Sequence, residues 1–156
     1  MSETTGATLA HHTAWYTYTK EKQMRVADLM QTDLSTVPPD APVAEVVQTM
    51  ADGHVSGLPV VDSDGRVLGV VSATDVLQAA AEHEDRKGRA TLFEHTTARD
   101  IMTSGAVTIE PDADVRQAAQ RMLYGEVRRL FVEEKGRLVG VLSQTDIAQA
   151  MGSGRL

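Results

Sequence analysis

Cysteine is absent from the 156-residue chain. That excludes disulfides, thiolate catalysis and cysteine metal sites, and it fits a reducing cytoplasm. One Trp, three Tyr and two Phe are the only aromatics, too few for a surface that stacks successive bases. Positive charge is short: 15 Lys+Arg against 22 Asp+Glu leave a net charge of -7. A general affinity for nucleic acid therefore has no electrostatic support, though a local basic patch can still hold one phosphate group. No apolar run approaches the ~20 residues of a membrane span, and the first residues lack the apolar core of a signal peptide. Neither a membrane location nor secretion is expected; a cytoplasmic one is. What the chain does have is ordinary, with 42% hydrophobic and 24% charged residues. A globule of this size buries roughly 68–70% of its unfolded surface, enough for one domain or two small intertwined ones.

The chain is written twice. Asp28 and Met30 return as Asp100 and Met102, and Pro39-Asp40-Ala41 returns as Pro111-Asp112-Ala113. Val43, Gln48, Met50 and Gly53 return as Val115, Gln120, Met122 and Gly125. After a one-residue deletion, Gly65-Arg66, Gly69-Val70, Ser72, Thr74 and Asp75 return as Gly136-Arg137, Gly140-Val141, Ser143, Thr145 and Asp146. Chance does not keep polar and glycine positions in register over such a span.

Each copy predicts the same elements. A helical turn ends at Met30 or Met102, and a short β-branched strand follows at residues 34–37 or 106–109, closed by proline. Apolar residues at i, i+3, i+4 and i+7 then predict a helix: Val43, Val46, Val47 and Met50, or Val115, Ala118, Ala119 and Met122. Gly53 and Gly125 are expected to stop these helices. Residues 58–61 with 67–71, and 130–132 with 138–142, predict hairpins turned by Asp64-Gly65 and Lys135-Gly136. A last helix begins at Ser72 or Ser143. A βαββα unit this small needs a partner for its sheet, and two copies in one chain supply it to each other. The expected class is α/β (α+β), two pseudo-two-fold-related βαββα repeats packed sheet to sheet. The expected bounds are a tail at 1–23, repeat one at 24–82, a charged linker at 83–96, repeat two at 97–151 and a tail at 152–156.

The strongest local signal is Gly69-Val70-Val71-Ser72-Ala73-Thr74-Asp75 with its echo Gly140-Val141-Leu142-Ser143-Gln144-Thr145-Asp146. A buried strand runs straight into a helix, with serine at the N-cap and aspartate at N3. One reading is a capping box. The other is a phosphate held by outward N–H groups and the hydroxyl, with the carboxylate accepting both hydroxyls of a ribose. Spacing alone favours the cap, because helix caps are far commoner than nucleotide sites.

The ordered set of motifs, present twice from Met24 to about Met151, resembles the CBS domain (cystathionine-β-synthase-type domain) in a tandem pair. It comprises Val26-Ala27-Asp28-Leu29-Met30, Ser56-Gly57-Leu58-Pro59-Val60-Val61-Asp62, Gly65-Arg66-Val67-Leu68-Gly69-Val70-Val71-Ser72 and Thr74-Asp75. The second set is Arg99-Asp100-Ile101-Met102, Val127-Arg128-Arg129-Leu130-Phe131-Val132, Gly136-Arg137-Leu138-Val139-Gly140-Val141-Leu142-Ser143 and Asp146. The resemblance implies regulation through a bound adenosyl compound (AMP, ADP, ATP or S-adenosylmethionine) in clefts between the repeats, with no cofactor required. It implies Ser72 and Asp75 for one cleft and Ser143 and Asp146 for the other, serine on phosphate and aspartate on ribose, with Thr74 and Thr145 in the same elements. It further implies that the backbone of Thr36-Val37 or Thr108-Ile109 frames the adenine, between aliphatic side chains such as Val37, Val60 or Ile109. Arg128 and Arg129 stand where family members often carry a basic pair that meets phosphates. Two solvated arginines guarding an edge strand are the alternative, and adjacent strand residues face opposite ways, so one at most serves a given cleft. Because repeat one has Ser56 and Gly57 there, the two clefts are expected to be unequal, without the sequence saying which gains. Phe131 replaces a proline, so local strand geometry is expected to differ.

Other signals are weaker. His11-His12 lacks partner carboxylates, and His54, His83 and His95 are scattered without an i, i+4 pair, so neither a metal site nor catalytic residues are expected. No nucleophile elbow, phosphate-binding glycine loop with lysine, or dinucleotide fingerprint occurs. The aromatic stretch at residues 13–19 reads as a strand that packs on its own domain or anchors a partner. A homodimer through the repeat helices is expected, from the apolar sides of residues 43–50 and 115–122 with Leu77 and Ile147. The leading function is a sensory module acting on a separate, unidentified effector protein. The alternative is a ligand-free dimerisation scaffold, and nucleic-acid binding is a disfavoured third.

Overall fold

The computed structural model describes residues 23–156; the His11-His12 pair and the aromatic stretch lie outside them. Helices α1 (Val26–Leu29), α2 (Val43–Gly53), α3 (Ala73–Ala81) and α4 (Arg86–His95) belong to the first half. Helices α5 (Ala98–Ile101), α6 (Val115–Tyr124) and α7 (Gln144–Gly152) belong to the second. The strands are β1 (Gly57–Val61), β2 (Val67–Ser72), β3 (Thr103–Ser104), β4 (Thr108–Ile109), β5 (Arg129–Glu134) and β6 (Arg137–Ser143). They form two three-stranded sheets, β1-β2-β3 and β4-β5-β6, the expected α/β pair of repeats.

Both hairpins form where the turn residues put them. Gly65 and Gly136 have positive φ, as does Lys135, the backbone that such tight turns require. Gly53 ends α2 and Gly125 caps α6, but the left-handed residues are their followers, His54 and Glu126. Phe131 does alter its strand, by one hydrogen bond. The Phe131 N–H donates to the Val107 carbonyl at 3.0 Å, and β4 pairs in parallel with β5. Pro59 has no N–H to give, so Val37 makes only an isolated bridge to Val60.

The repeats exchange their opening segments. The Val26 and Ala27 amides donate to the carbonyls of Ala113 and Pro111, both at 2.8 Å. In mirror fashion the Ala98 and Arg99 amides donate to Ala41 and Pro39 at 2.8 and 3.0 Å. Val26 accordingly lies in the core with Ile109, Val115, Met122, Leu130 and Leu142. Ala98 lies in the core with Val37, Val43, Val46, Leu58 and Val71, and Ile101 packs against it. Beyond the helical turns, β3 pairs with Gly69 and Val70 of β2, and Gln31 pairs with Val141 of β6. Each helical turn, assigned from sequence to its own repeat, thus completes the other repeat's core. The charged linker also forms structure of its own. Asp85 caps α4 through the Gly88 amide at 2.8 Å, Leu92 is buried, and Phe93 packs on the first core.

The helix faces expected at a dimer contact are occupied differently. Val43, Val46, Met50, Val115, Ala118, Met122 and Ile147 are all buried within the chain. Among the described residues, Val47, Leu77, Leu123, Tyr124 and Met151 are the large apolar helix residues left exposed.

Candidate functional site

Both Ser-x-x-Asp corners form complete capping boxes. The Ser72 amide donates to Asp75 Oδ2 at 2.8 Å, and the Asp75 amide to Ser72 Oγ at 3.2 Å. At the second corner the Ser143 amide donates to Asp146 Oδ2 at 2.8 Å, and the Asp146 amide to Ser143 Oγ at 3.1 Å. The first amide of each helix is taken as well, by the Ser56 carbonyl (Ala73, 2.8 Å) and the Arg128 carbonyl (Gln144, 2.9 Å). Free N–H groups are thus fewer than the sequence suggests. The second amides, on the exposed Thr74 and Thr145, are the ones open to a ligand. The caps hold each serine and aspartate in place, and each carboxylate keeps a second oxygen for another donor.

The two corners then differ. The Ser72 hydroxyl also donates to Asp75 Oδ2 at 3.0 Å, and no described residue donates to Asp75 Oδ1. Asp146 Oδ1 instead accepts from Gln31 Nε2 at 3.0 Å, a partner 115 positions away in sequence and absent from the predicted site.

A cleft of about 260 Å³ opens between the repeats, lined by Val70 of β2, residues 103–107, Val127, Arg128, Arg129 and Phe131. Its walls come from both repeats because β3 pairs with β2. Val70 lies two residues before Ser72, so the arginines of repeat two share a cleft with the strand that leads into repeat one's corner. Arg128 and Arg129 are exposed, and among the described residues neither guanidinium has a carboxylate partner.

The aliphatic frame expected for an adenine needs correction. Val37, Val60 and Ile109 are at most 4% exposed and belong to the two cores, where a base cannot reach them. Their backbone is engaged too: Val37 N–H donates to the Pro59 carbonyl at 3.2 Å, and its carbonyl accepts from Val61 at 2.9 Å. The Thr108 carbonyl accepts from Arg121 at 2.7 Å. Thr36 is exposed and Thr108 half-buried, and neither lines the cleft. Val70, Val107, Val127 and Phe131 do, a set that sequence reasoning missed. The duplicated glycine before each corner was its available signal. A Cβ on Gly69 would lie 2.6 Å from the Thr103 carbonyl oxygen, and one on Gly140 would lie 2.6 Å from Met30 Sδ. Each glycine marks where an opening segment of the other repeat lies flat on the strand.

Among the described residues no group of His, Asp or Glu is arranged to hold a metal ion, and no helix is long and apolar enough to cross a membrane.

The family model of the CBS domain matches residues 26–82 and 98–153. The gamma-3 subunit of 5'-AMP-activated protein kinase from Sus scrofa is 32% identical over 120 residues, 76% of this chain and 23% of that protein. The chain spans less than half the length of the first curated relatives it matches, among them a homoserine O-acetyltransferase from Methanosalsum zhilinae at 26% identity, 83% of this chain and 24% of that enzyme. Among solved structures, CBSX2 in complex with AMP is 25% identical with a TM-score of 0.69, covering 83% of this chain and 97% of that one. The CBS domain pair of protein MJ0100, in complex with 5'-methylthioadenosine and S-adenosyl-L-methionine, shares the fold at 22% identity and a TM-score of 0.68, covering 85% and 98%. The exchanged opening segments, the two capped corners and both family matches agree: this chain belongs to the CBS domain family, as a tandem pair.

Proposed function

We propose that the chain is a regulatory module that binds an adenosyl compound (AMP, ADP, ATP or S-adenosylmethionine) between its repeats and passes a change of shape to a separate protein. The observation that carries this reading is the cleft beside Val70, which brings two arginines of repeat two, without a carboxylate partner among the described residues, to the strand that ends at Ser72. Asp75 offers a free carboxylate oxygen to a ribose hydroxyl, the Thr74 amide and Ser72 serve the phosphate end, and Arg128 or Arg129 meets its charge. Val70, Val107 and Val127 give a base an apolar wall. The AMP complex of CBSX2 supports the ligand class. The pseudo-two-fold relation gives Ser143, Thr145 and Asp146 the same role at a second corner.

The module carries no catalytic residues of its own and needs no cofactor. Its output falls to an unidentified effector in the cytoplasm, not to nucleic acid or a membrane. The exposed Val47, Leu77, Leu123, Tyr124 and Met151 favour a homodimer through the helices, which light scattering at micromolar concentration checks. A thermal-shift series with AMP, ADP, ATP, S-adenosylmethionine and NAD tests the ligand reading. A ligand at a hundred times its Kd raises Tm by about 5–10 °C for a chain of this size. No shift with any of them leaves the ligand-free scaffold instead.

A further inference from the structure

The two corners share a capping box and differ in what reaches the other oxygen of the aspartate. In each, Oδ2 of the aspartate accepts the cap amide at 2.8 Å, which leaves Oδ1 for other donors. At Asp146 that oxygen already has one, Gln31 Nε2 at 3.0 Å. Gln31 is held in place by its backbone, which donates to the Val141 carbonyl at 2.9 Å and accepts from the Val141 amide at 3.0 Å. Its counterpart in repeat two is Thr103, which pairs with Val70 in the same way. A threonine carries its hydroxyl on Cβ and cannot span the gap that a glutamine amide spans, and no described residue donates to Asp75 Oδ1.

We infer that Gln31 is a tethered competitor for the ribose at the Asp146 corner, so that the pair binds an adenosyl ligand first at Asp75. A ribose hydroxyl approaching Asp146 competes with an amide already bonded to Oδ1, whereas one approaching Asp75 Oδ1 meets no donor among the described residues. The amide is a neutral donor on an exposed residue, so its displacement weakens the site modestly, by about fivefold. The effect adds to the charge difference, because Arg128 and Arg129 line the cleft beside Val70. This inference rests on the reading that the Ser-x-x-Asp corners take a ribose.

Calorimetric titration of AMP into the whole chain, into Gln31→Thr and into Thr103→Gln tests it. The wild type should show a tight and a weak site, and Gln31→Thr should strengthen the weak one about fivefold while leaving the tight one alone. Thr103→Gln should weaken the tight site by a similar factor. In an NMR spectrum the Gln31 side-chain amide pair, identified by its loss in Gln31→Thr, should shift as the weak site fills. A weak site that is unchanged or weaker in Gln31→Thr, or an amide pair that ignores AMP, overturns the competitor role and leaves the ribose reading standing. Failure of AMP, ADP, ATP and S-adenosylmethionine to bind wild type and both variants overturns the ribose reading, and this inference with it.

Discussion

In both repeats a glycine of the second hairpin strand lies beneath the opening segment of the other repeat, Gly69 under Thr103 and Gly140 under Met30 and Gln31. In both, a serine and an aspartate cap the helix that follows. Around these shared residues the repeats have drifted. Ser56 and Gly57 correspond to Arg128 and Arg129, Pro59 to Phe131, and Gln31 to Thr103. The retained glycines meet a close approach of another segment and the retained serine–aspartate pairs cap helices, whereas Thr103, Arg128, Arg129 and Phe131 among the drifted positions line the cleft. Scaffold and selectivity therefore reside in different residues of one duplicated frame.

The comparison breaks hardest at the glycines. Gly69→Ala places a Cβ 2.6 Å from backbone, the Thr103 carbonyl oxygen, and should cost about 2–3 kcal/mol. Gly140→Ala first meets the end of the flexible Met30 side chain and should cost about 1–2 kcal/mol. Urea unfolding of the two variants checks the order; equal losses would mean that the segments are held alike.

The aspartates sharpen it next. Asp75→Ala should weaken AMP binding by about 1.5–3 kcal/mol, the worth of a hydrogen bond to a charged group, while losing the cap should lower stability by about 1 kcal/mol. Asp146→Ala should cost a similar amount of stability but less binding, since its corner starts weaker. If neither variant changed binding, capping would be the aspartates' whole role.

A smaller effect is expected at the arginines. Arg128→Ser/Arg129→Gly makes repeat two resemble repeat one, and should weaken AMP or ATP about tenfold while sparing the uncharged 5'-methylthioadenosine. Competition titrations with both ligands read the contrast directly; an equal loss for both would remove the phosphate from the argument.

The smallest is a matter of pH. The side-chain bond from Arg116 holds Asp114 below the usual carboxylate range, and the bonds from the Thr97 backbone and hydroxyl do the same for Asp100. Their contribution to stability is present above the unfolded-state value and is lost as pH falls through the folded one. Asp114 has Pro42 as its counterpart, so only repeat two carries that bond. Asp114→Asn keeps a good cap residue and should flatten slightly the loss of Tm as pH falls below about 4.

Much of this was legible from the amino acids alone. The duplication, the helix stripes at Val43–Met50, the turn glycines and the serine–aspartate caps are local patterns, and local patterns state which face of an element is apolar and where it starts and stops. They do not state which surface covers it. Val37 and Ile109, expected as walls for a base, lie in the cores, and Leu77 and Ile147, paired in the expected dimer face, part into an exposed Leu77 and a buried Ile147. Only the tertiary structure decided that α1 completes the second core and α5 the first, and that Gln31 meets Asp146 from 115 residues away. Those choices depend on which of two nearly equivalent cores buries each short segment and on which donor lies in reach afterwards. Packing between distant parts of the chain sets both, and no periodicity within either part records it.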